Sequence, residues 1–153
     1  MADVNSKKFR CEINTPDGNI TTEDVVSVQI PALDGYMGIL ANRAPVIAVL
    51  STGMLTIHEH SGEQRELFVS RGFCQVAQNI CTILTEECLP LGELNPERAW
   101  EILQRAYKLP SDTNEQRELR DEAIQSGRTR FRLAQKNKEG MMSLDEMMSR
   151  GLG

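Results

Sequence analysis

Few residues in this chain carry obvious chemistry: the cysteines Cys11, Cys74, Cys81 and Cys88, and the histidines His58 and His60. On a strand, residues i and i+2 share a face, so the two histidines could share a metal ion. Glu59 between them points the other way, and no third ligand stands nearby. Solvent-facing strand histidines are therefore the expectation, with no metal site. The cysteines form no C-x-x-C pair, and no histidine stands at ligand spacing from them. Three lie in or near apolar runs and read as small buried hydrophobes in a reducing compartment. The competing chemistry is nucleophilic, a Cys74 or Cys81 thiol paired with a base that only the fold brings near. G-x-S-x-G, H-E-x-x-H, P-loop and G-x-G-x-x-G motifs are all missing. An enzyme in its own right is not expected.

From Lys8 to about Leu91 the elements that must hold these residues read as strands. Phe9, Cys11 and Ile13 alternate with polar residues, as do Val26, Val28 and Ile30. Thr15-Pro16-Asp17-Gly18 is a turn sequence, because proline presets its dihedral and glycine accepts positive φ. A glycine-punctuated loop is expected over Asp34-Gly35-Tyr36-Met37-Gly38. The apolar run Val46 to Leu50 follows, bounded by Pro45 and Gly53. Leu55 and Ile57 lead to a Ser61-Gly62 turn, and Leu67 and Val69 lead to Ser70-Arg71-Gly72-Phe73. Gln78-Asn79 reads as a hairpin turn between Phe73–Val76 and Ile80–Leu84. Many short strands with turns between them indicate an all-β sandwich or barrel, and the pattern alone does not separate the two.

After Leu94 the periodicity becomes helical. Asn95 suits an N-cap, Pro96 the first turn, and Glu97 the positive end of the dipole. Ala99, Ile102, Leu103, Ala106 and Tyr107 then mark one face of an amphipathic helix. Leu109-Pro110-Ser111 breaks it. Asp112 or Thr113 opens a second helix, with Glu115 or Gln116 at capping-box distance. Its apolar stripe is thin: Leu119, Ala123 and Ala134, with Ile124 and Phe131 in a second row. Two helices across a short break form a hairpin.

Charge along the second helix is polarised. Asp112 to Glu122 holds five acids against Arg117 and Arg120, whereas Arg128, Arg130, Arg132, Lys136 and Lys138 have no acid between them. Dipole complementarity on a solvated helix accounts for this, and so does an arm that meets an acidic partner surface. From Glu139 the chain is rich in methionine (Met141, Met142, Met147, Met148), and a flexible tail is expected over 139–153. The expected units are a β domain over 1–92, a hairpin over 93–138, and that tail.

Bulk composition excludes several classes. The chain has 153 residues, 40% apolar and 25% charged, with a net charge of −5. An acidic balance disfavours nucleic-acid binding and electrostatic anchoring to membranes. No run of about eighteen apolar residues exists, so no direct bilayer insertion is expected. Met1 to Lys8 is short and polar, without the marks of a secretory or transit peptide, and a cytoplasmic location follows by default.

One ordered set of motifs adds to this. Gly35-Tyr36-Met37-Gly38-Ile39-Leu40, then Ala44-Pro45, then Gly53 and Leu55-Thr56-Ile57, resembles the epsilon subunit family of F-type ATP synthases. Further matches are Phe68-Val69-Ser70-Arg71-Gly72-Phe73, Val76, Asn79 and Thr82-Ile83-Leu84. The likeness runs from about Phe9 to about Ala134. It implies an α+β chain, an N-terminal all-β sandwich followed by a C-terminal antiparallel α-helical hairpin. It also implies a non-catalytic rotor subunit of a proton- or sodium-translocating synthase, on the cytoplasmic side of the inner (plasma) membrane. Its implied partners are the gamma subunit of the central stalk, the c-ring and, transiently, the alpha/beta catalytic head.

The implied ring and stalk contact comprises Gly35, Tyr36, Met37, Gly38, Arg43, Ala44 and Pro45. Arg43 replaces the family histidine, and Tyr36 stands where the family often has an acid. Some family members bind ATP as a regulatory ligand through a motif resembling I/L-D-x-x-R-A. Here it reads Leu94-Asn95-Pro96-Glu97-Arg98-Ala99, with Asn95 for the aspartate and Arg105, Arg128 and Arg132 as further cations. The implied inhibitory arm is Arg128, Arg130, Arg132, Lys136 and Lys138. A free ATP-sensing module is the alternative, and no other cofactor is implied.

Overall fold

The computed structural model describes residues 8–149, with side chains through residue 137. The chain divides into two compact units, Met1–Pro90 and Leu91–Gly153. The expected boundary at 92/93 falls inside the short 3-10 turn Leu91–Glu93, two residues from the division between the units.

Among its described residues the first unit holds nine strands: β1 (Phe9–Thr15), β2 (Gly18–Ala32), β3 (Gly35–Leu40), β4 (Val46–Leu50), β5 (Gly53–Glu59), β6 (Gln64–Val69), β7 (Gly72–Ala77), β8 (Ile80–Thr85) and β9 (Cys88–Pro90). They form a two-layer sandwich. One layer is β4, β7, β8, β1 and the first part of β2; the other is β3, the later part of β2, β5, β6 and β9. Pairing is antiparallel except between β1 and β8, which run parallel. The fifteen residues of β2 serve both layers. Its pairing with β1 is irregular between Phe9 and Cys11, its pairing with β5 shifts between Val25 and Ser27, and Asp24 takes φ 54°. A bulge of this kind bends a strand and lets it leave one sheet for the other.

That bulge corrects one sequence reading. Val28 and Ile30 are buried as the alternation requires, but Val26 is exposed and Val25 is buried. The extra residue shifts the phase of the strand by one. A second correction concerns the glycine segment. Gly35–Leu40 is strand β3, hairpinned to β2 across Leu33-Asp34, not a loop. Only Gly35, at φ 122°, needs a left-handed backbone.

Between the layers lies an aliphatic core that includes Phe9, Ile13, Val28, Ile30, Ile39, Leu50, Leu55, Ile57, Leu67, Val76 and Ile83. The Gln78-Asn79 turn has both residues at positive φ, as a two-residue hairpin with the twist of its strands requires. The Asn79 amide then ties this end together. It donates to the Lys8 carbonyl (2.6 Å) and accepts from the Asn42 backbone N–H (2.8 Å). At the other end of β7, a Cβ on Gly72 would lie 1.8 Å from the Leu84 carbonyl oxygen, so only glycine allows that approach.

The second unit is a hairpin of α1 (Pro96–Tyr107) and α2 (Asn114–Ser149). Asn95 caps α1 by accepting from the Glu97 and Arg98 backbone N–H groups at 2.8 and 3.3 Å. Thr113 and Gln116 form the box that starts α2: the Gln116 N–H donates to Thr113 Oγ1, and Gln116 Oε1 accepts from the Thr113 N–H. Contacts run in reverse order along the two helices, Trp100 with Phe131, Leu103 with Gly127, and Tyr107 with Arg120. The helices are therefore antiparallel. Leu103, Ala106 and Ile124 are buried together, with Ala123 beside them. Leu119, expected on this stripe, is 60% exposed, and the row through Ile124 and Phe131 faces α1 instead. The backbone of α2 stays helical to Ser149, past the Glu139 position where a flexible tail is expected. The side chains beyond 137, Lys138 and the methionines among them, and residues 150–153 lie outside the described residues.

Candidate functional site

The thiols cluster but offer no nucleophile. Cys81 sits directly opposite Cys11 across β1 and β8, and the Cys74 and Cys81 sulfurs are 3.6 Å apart. All three are buried. The hydrogen bond to Cys81 and burial push the Cys74 thiol up, and Cys81 is pushed up by its bond to Cys11 and by burial. Burial raises Cys88 to about 11. A catalytic cysteine needs an exposed, easily ionised thiol, so the cysteine-enzyme reading fails. His58 is exposed on β5 in the opposite layer. Among the described residues no group of three or more His, Cys, Asp or Glu could hold a metal ion.

The expected contact residues are spread along β3 and the loop after it. Gly35 and Tyr36 sit where β3 leaves its turn, with Tyr36 58% exposed. Met37 packs against the core. Arg43, Ala44 and Pro45 lie beyond the far end of the strand, and Arg43 reaches back to donate to the Gly38 carbonyl at 3.2 Å. Arg43 thus joins the two parts, while Gly35 and Pro45 are not brought together.

A larger surface lies outside the expected contact residues, although Phe73 and Leu84 stand in the matched motifs. On the outer face of the first layer, Val49 pairs with Phe73 and Phe73 with Leu84. These three are all exposed, Phe73 by 56%. Exposed Leu33 extends the row, its N–H donating to the Val49 carbonyl. The adjacent row runs Ile47, Gln75 and Thr82, and meets its first charge at Glu12 on β1. The Arg71–Glu86 ion pair borders the other side. The result is a charge-free apolar patch with a polar rim, the anatomy of a protein-docking surface. Continuous apolarity in Val46–Leu50 was the available signal. A strand apolar on both faces is either doubly buried or docked, and here one face is open.

In the helical unit the nucleotide-motif residues have structural employment. Leu94 and Ala99 are buried, and the Asn95 carboxamide oxygen serves the helix cap. Arg98 pairs loosely with Glu101 at 3.7 Å, both well exposed. Arg128 donates twice to the Tyr107 hydroxyl. Arg105 and Arg132 are exposed, and the antiparallel pairing sets Arg132 level with the start of α1, away from Arg105. Along α2, Lys136 is exposed and Arg130 half-buried.

A two-layer sandwich with one open apolar face, followed by a helical pair, defines the class. Residues 8–90 match the β-sandwich domain of the ATP synthase delta/epsilon chain. The ATP synthase epsilon chain of Rhodopirellula baltica is 33% identical over 124 residues, covering 81% of this chain and 96% of that one. The epsilon chain of Dichelobacter nodosus is 36% identical, covering 68% and 73%. This chain belongs to the ATP synthase epsilon chain family, and with it to the non-catalytic stalk subunits of that complex. The fold is shared with a chain in the central stalk and c-ring structure of the Tetrahymena thermophila mitochondrial ATP synthase. There the TM-score is 0.66 at 14% identity, over 82% of this chain and 95% of that one. A chain in the Euglena gracilis mitochondrial synthase structure gives 0.66 at 23%, over 80% and 78%.

Proposed function

We propose that this chain couples the c-ring to the gamma subunit of the central stalk, and that its helical arm restrains ATP hydrolysis by the alpha/beta head. The observation that carries the coupling role is the open row Val49, Phe73 and Leu84. A soluble chain that is 25% charged leaves such a face bare only where a partner covers it. The stalk's gamma subunit is the occupant this reading assigns. The β3 segment with Tyr36 and Arg43 is assigned to the ring. In this reading the subunit is peripheral, on the cytoplasmic side of the inner (plasma) membrane, in a complex driven by protons or sodium ions. No helix among the described residues is long and apolar enough to cross a membrane.

The regulatory half of the proposal rests on the run from Arg128 to Lys136, cationic and without an acid between its members. An arm of that charge is suited to acidic loops on the head. A regulatory ATP is less well supported, because Asn95 is engaged as a cap and Arg128 with Tyr107. The test is capture of the tagged full chain from detergent-solubilised membranes of its own organism, with partners identified by mass. Co-recovery of gamma, ring and head subunits supports the reading. Their absence, from membranes shown to hold intact synthase, overturns it.

A further inference from the structure

The hairpin's apolar contacts are few and built mainly from small residues. Among the described residues Leu103, Ala106 and Ile124 form one buried cluster with Ala123 beside it, Ala99 and Ala134 are buried as well, and the Trp100 and Phe131 rings meet. Burial on this scale stabilises two helices only weakly. A polar clasp stands beside it. Arg128 Nε and Nη2 both donate to the Tyr107 hydroxyl oxygen, at 3.2 and 3.0 Å. A phenol oxygen has two lone pairs and can accept both, and the guanidinium fork presents two donors in the required plane. Its carbon lies 5.9 Å from the ring centroid. Arg120, about two turns earlier on α2, donates to the Tyr107 carbonyl at 3.4 Å. That carbonyl is at the C-terminus of α1, where carbonyls lack helical partners and a cation is favoured. One tyrosine is thus gripped at side chain and backbone by two arginines of the other helix.

We infer that the Tyr107–Arg128 clasp is a latch that holds the hairpin closed and, by engaging the first cation of the basic run, withholds the arm. The inference deepens the regulatory half of the proposed function and rests on it for the second part only. The latch itself is a property of the isolated chain. In the closed hairpin Arg128 spends two of its donors on Tyr107, so it cannot also serve an acidic partner with them. Opening the hairpin frees that cation and separates Trp100 from Phe131, whose rings are 5.3 Å apart. Trp100 is the single tryptophan of the chain and reports the event directly.

The experiment is Tyr107→Phe in the full chain, which removes the acceptor and keeps the ring. Losing hydrogen bonds at a partly exposed site should raise the open-to-closed ratio roughly three- to fivefold. Acrylamide quenching of Trp100 should rise accordingly, with helical circular dichroism retained. Gly127→Val provides a steric route to the same state, because even a Cβ at this position meets Leu103 at 3.1 to 3.4 Å. Unchanged quenching in Tyr107→Phe, while Gly127→Val does increase it, overturns the latch. The reconstituted synthase separates the second part. Stronger restraint of hydrolysis by Tyr107→Phe supports withholding of the arm. Raised quenching with unchanged hydrolysis keeps the latch and overturns the arm reading.

Discussion

The hydroxyl of Thr85 donates to the main-chain carbonyl of Ser70 at 2.7 Å, and the two side-chain oxygens lie 3.2 Å apart. The Glu87 N–H in turn donates to Ser70 Oγ at 2.9 Å, and the Ser70 N–H donates to the Glu87 carbonyl. Both hydroxyls are buried. This knot fastens the end of β6 to the segment between β8 and β9. Thr85→Val keeps the shape and leaves the Ser70 carbonyl without that donor. Stability should fall by about 1–3 kcal/mol, because the buried acceptor loses its partner. Urea unfolding of the isolated chain measures this. A change within a few tenths of a kcal/mol would mean that the knot is ornamental.

Phe73 is the centre of the open row, paired to Val49 on one side and Leu84 on the other. Phe73→Asp puts a charge there without disturbing the core. Affinity for the isolated gamma subunit should drop roughly tenfold or more, as for the loss of a central aromatic anchor, with the unfolding midpoint little changed. Wild-type affinity in this variant would place the stalk contact elsewhere.

Reversing Arg128, Arg130 and Arg132 to glutamate should release hydrolysis in the reconstituted synthase. Three exposed pairs at a few tenths of a kcal/mol each suggest a rise of roughly threefold. Salt should produce part of the same effect in wild type and little in the variant. A restraint that ignores both charge reversal and salt is not carried by this arm.

The thiols give the molecule a falling stability at alkaline pH. In the unfolded chain a cysteine ionises near about 8.5, whereas Cys88 holds its proton to about 11 and Cys74 and Cys81 are pushed up further. Above the unfolded value the unfolded chain binds fewer protons than the native one, so the slope of stability with pH is negative. The Cys88 contribution levels off past about 11, where the folded-state thiol ionises too. Urea midpoints at pH 8 and pH 10 should therefore converge in a Cys74→Ala, Cys81→Ala double variant compared with wild type. An equal decline in both would remove the thiols as the cause.

Much of the sandwich was legible in the sequence because alternation and turn chemistry agree there. Phe9, Cys11 and Ile13 are buried as their spacing requires, and Gln78-Asn79 forms its turn. The phase error at Val26 has a different origin. A bulge adds a residue without any glycine to mark it, and Asp24 takes the positive φ instead. The helix starts were readable because capping is local, as at Asn95 and at Thr113 with Gln116. Leu119 was misplaced because a thin stripe on a polar helix leaves its facing side ambiguous. The open patch was hidden for a tertiary reason: Val49, Phe73 and Leu84 come from three strands, and only register brings them side by side. The Tyr107–Arg128 clasp was hidden for the same reason, its members being 21 residues apart in the sequence.

The long strand β2 has a mechanical consequence. Two stacked sheets joined only by packed side chains can slide, since such contacts resist shear weakly. Here one unbroken backbone passes from pairing with β1 to pairing with β3 and β5. A sideways load on either sheet therefore passes to the other along peptide bonds, and the sandwich turns as one stiff block under torque.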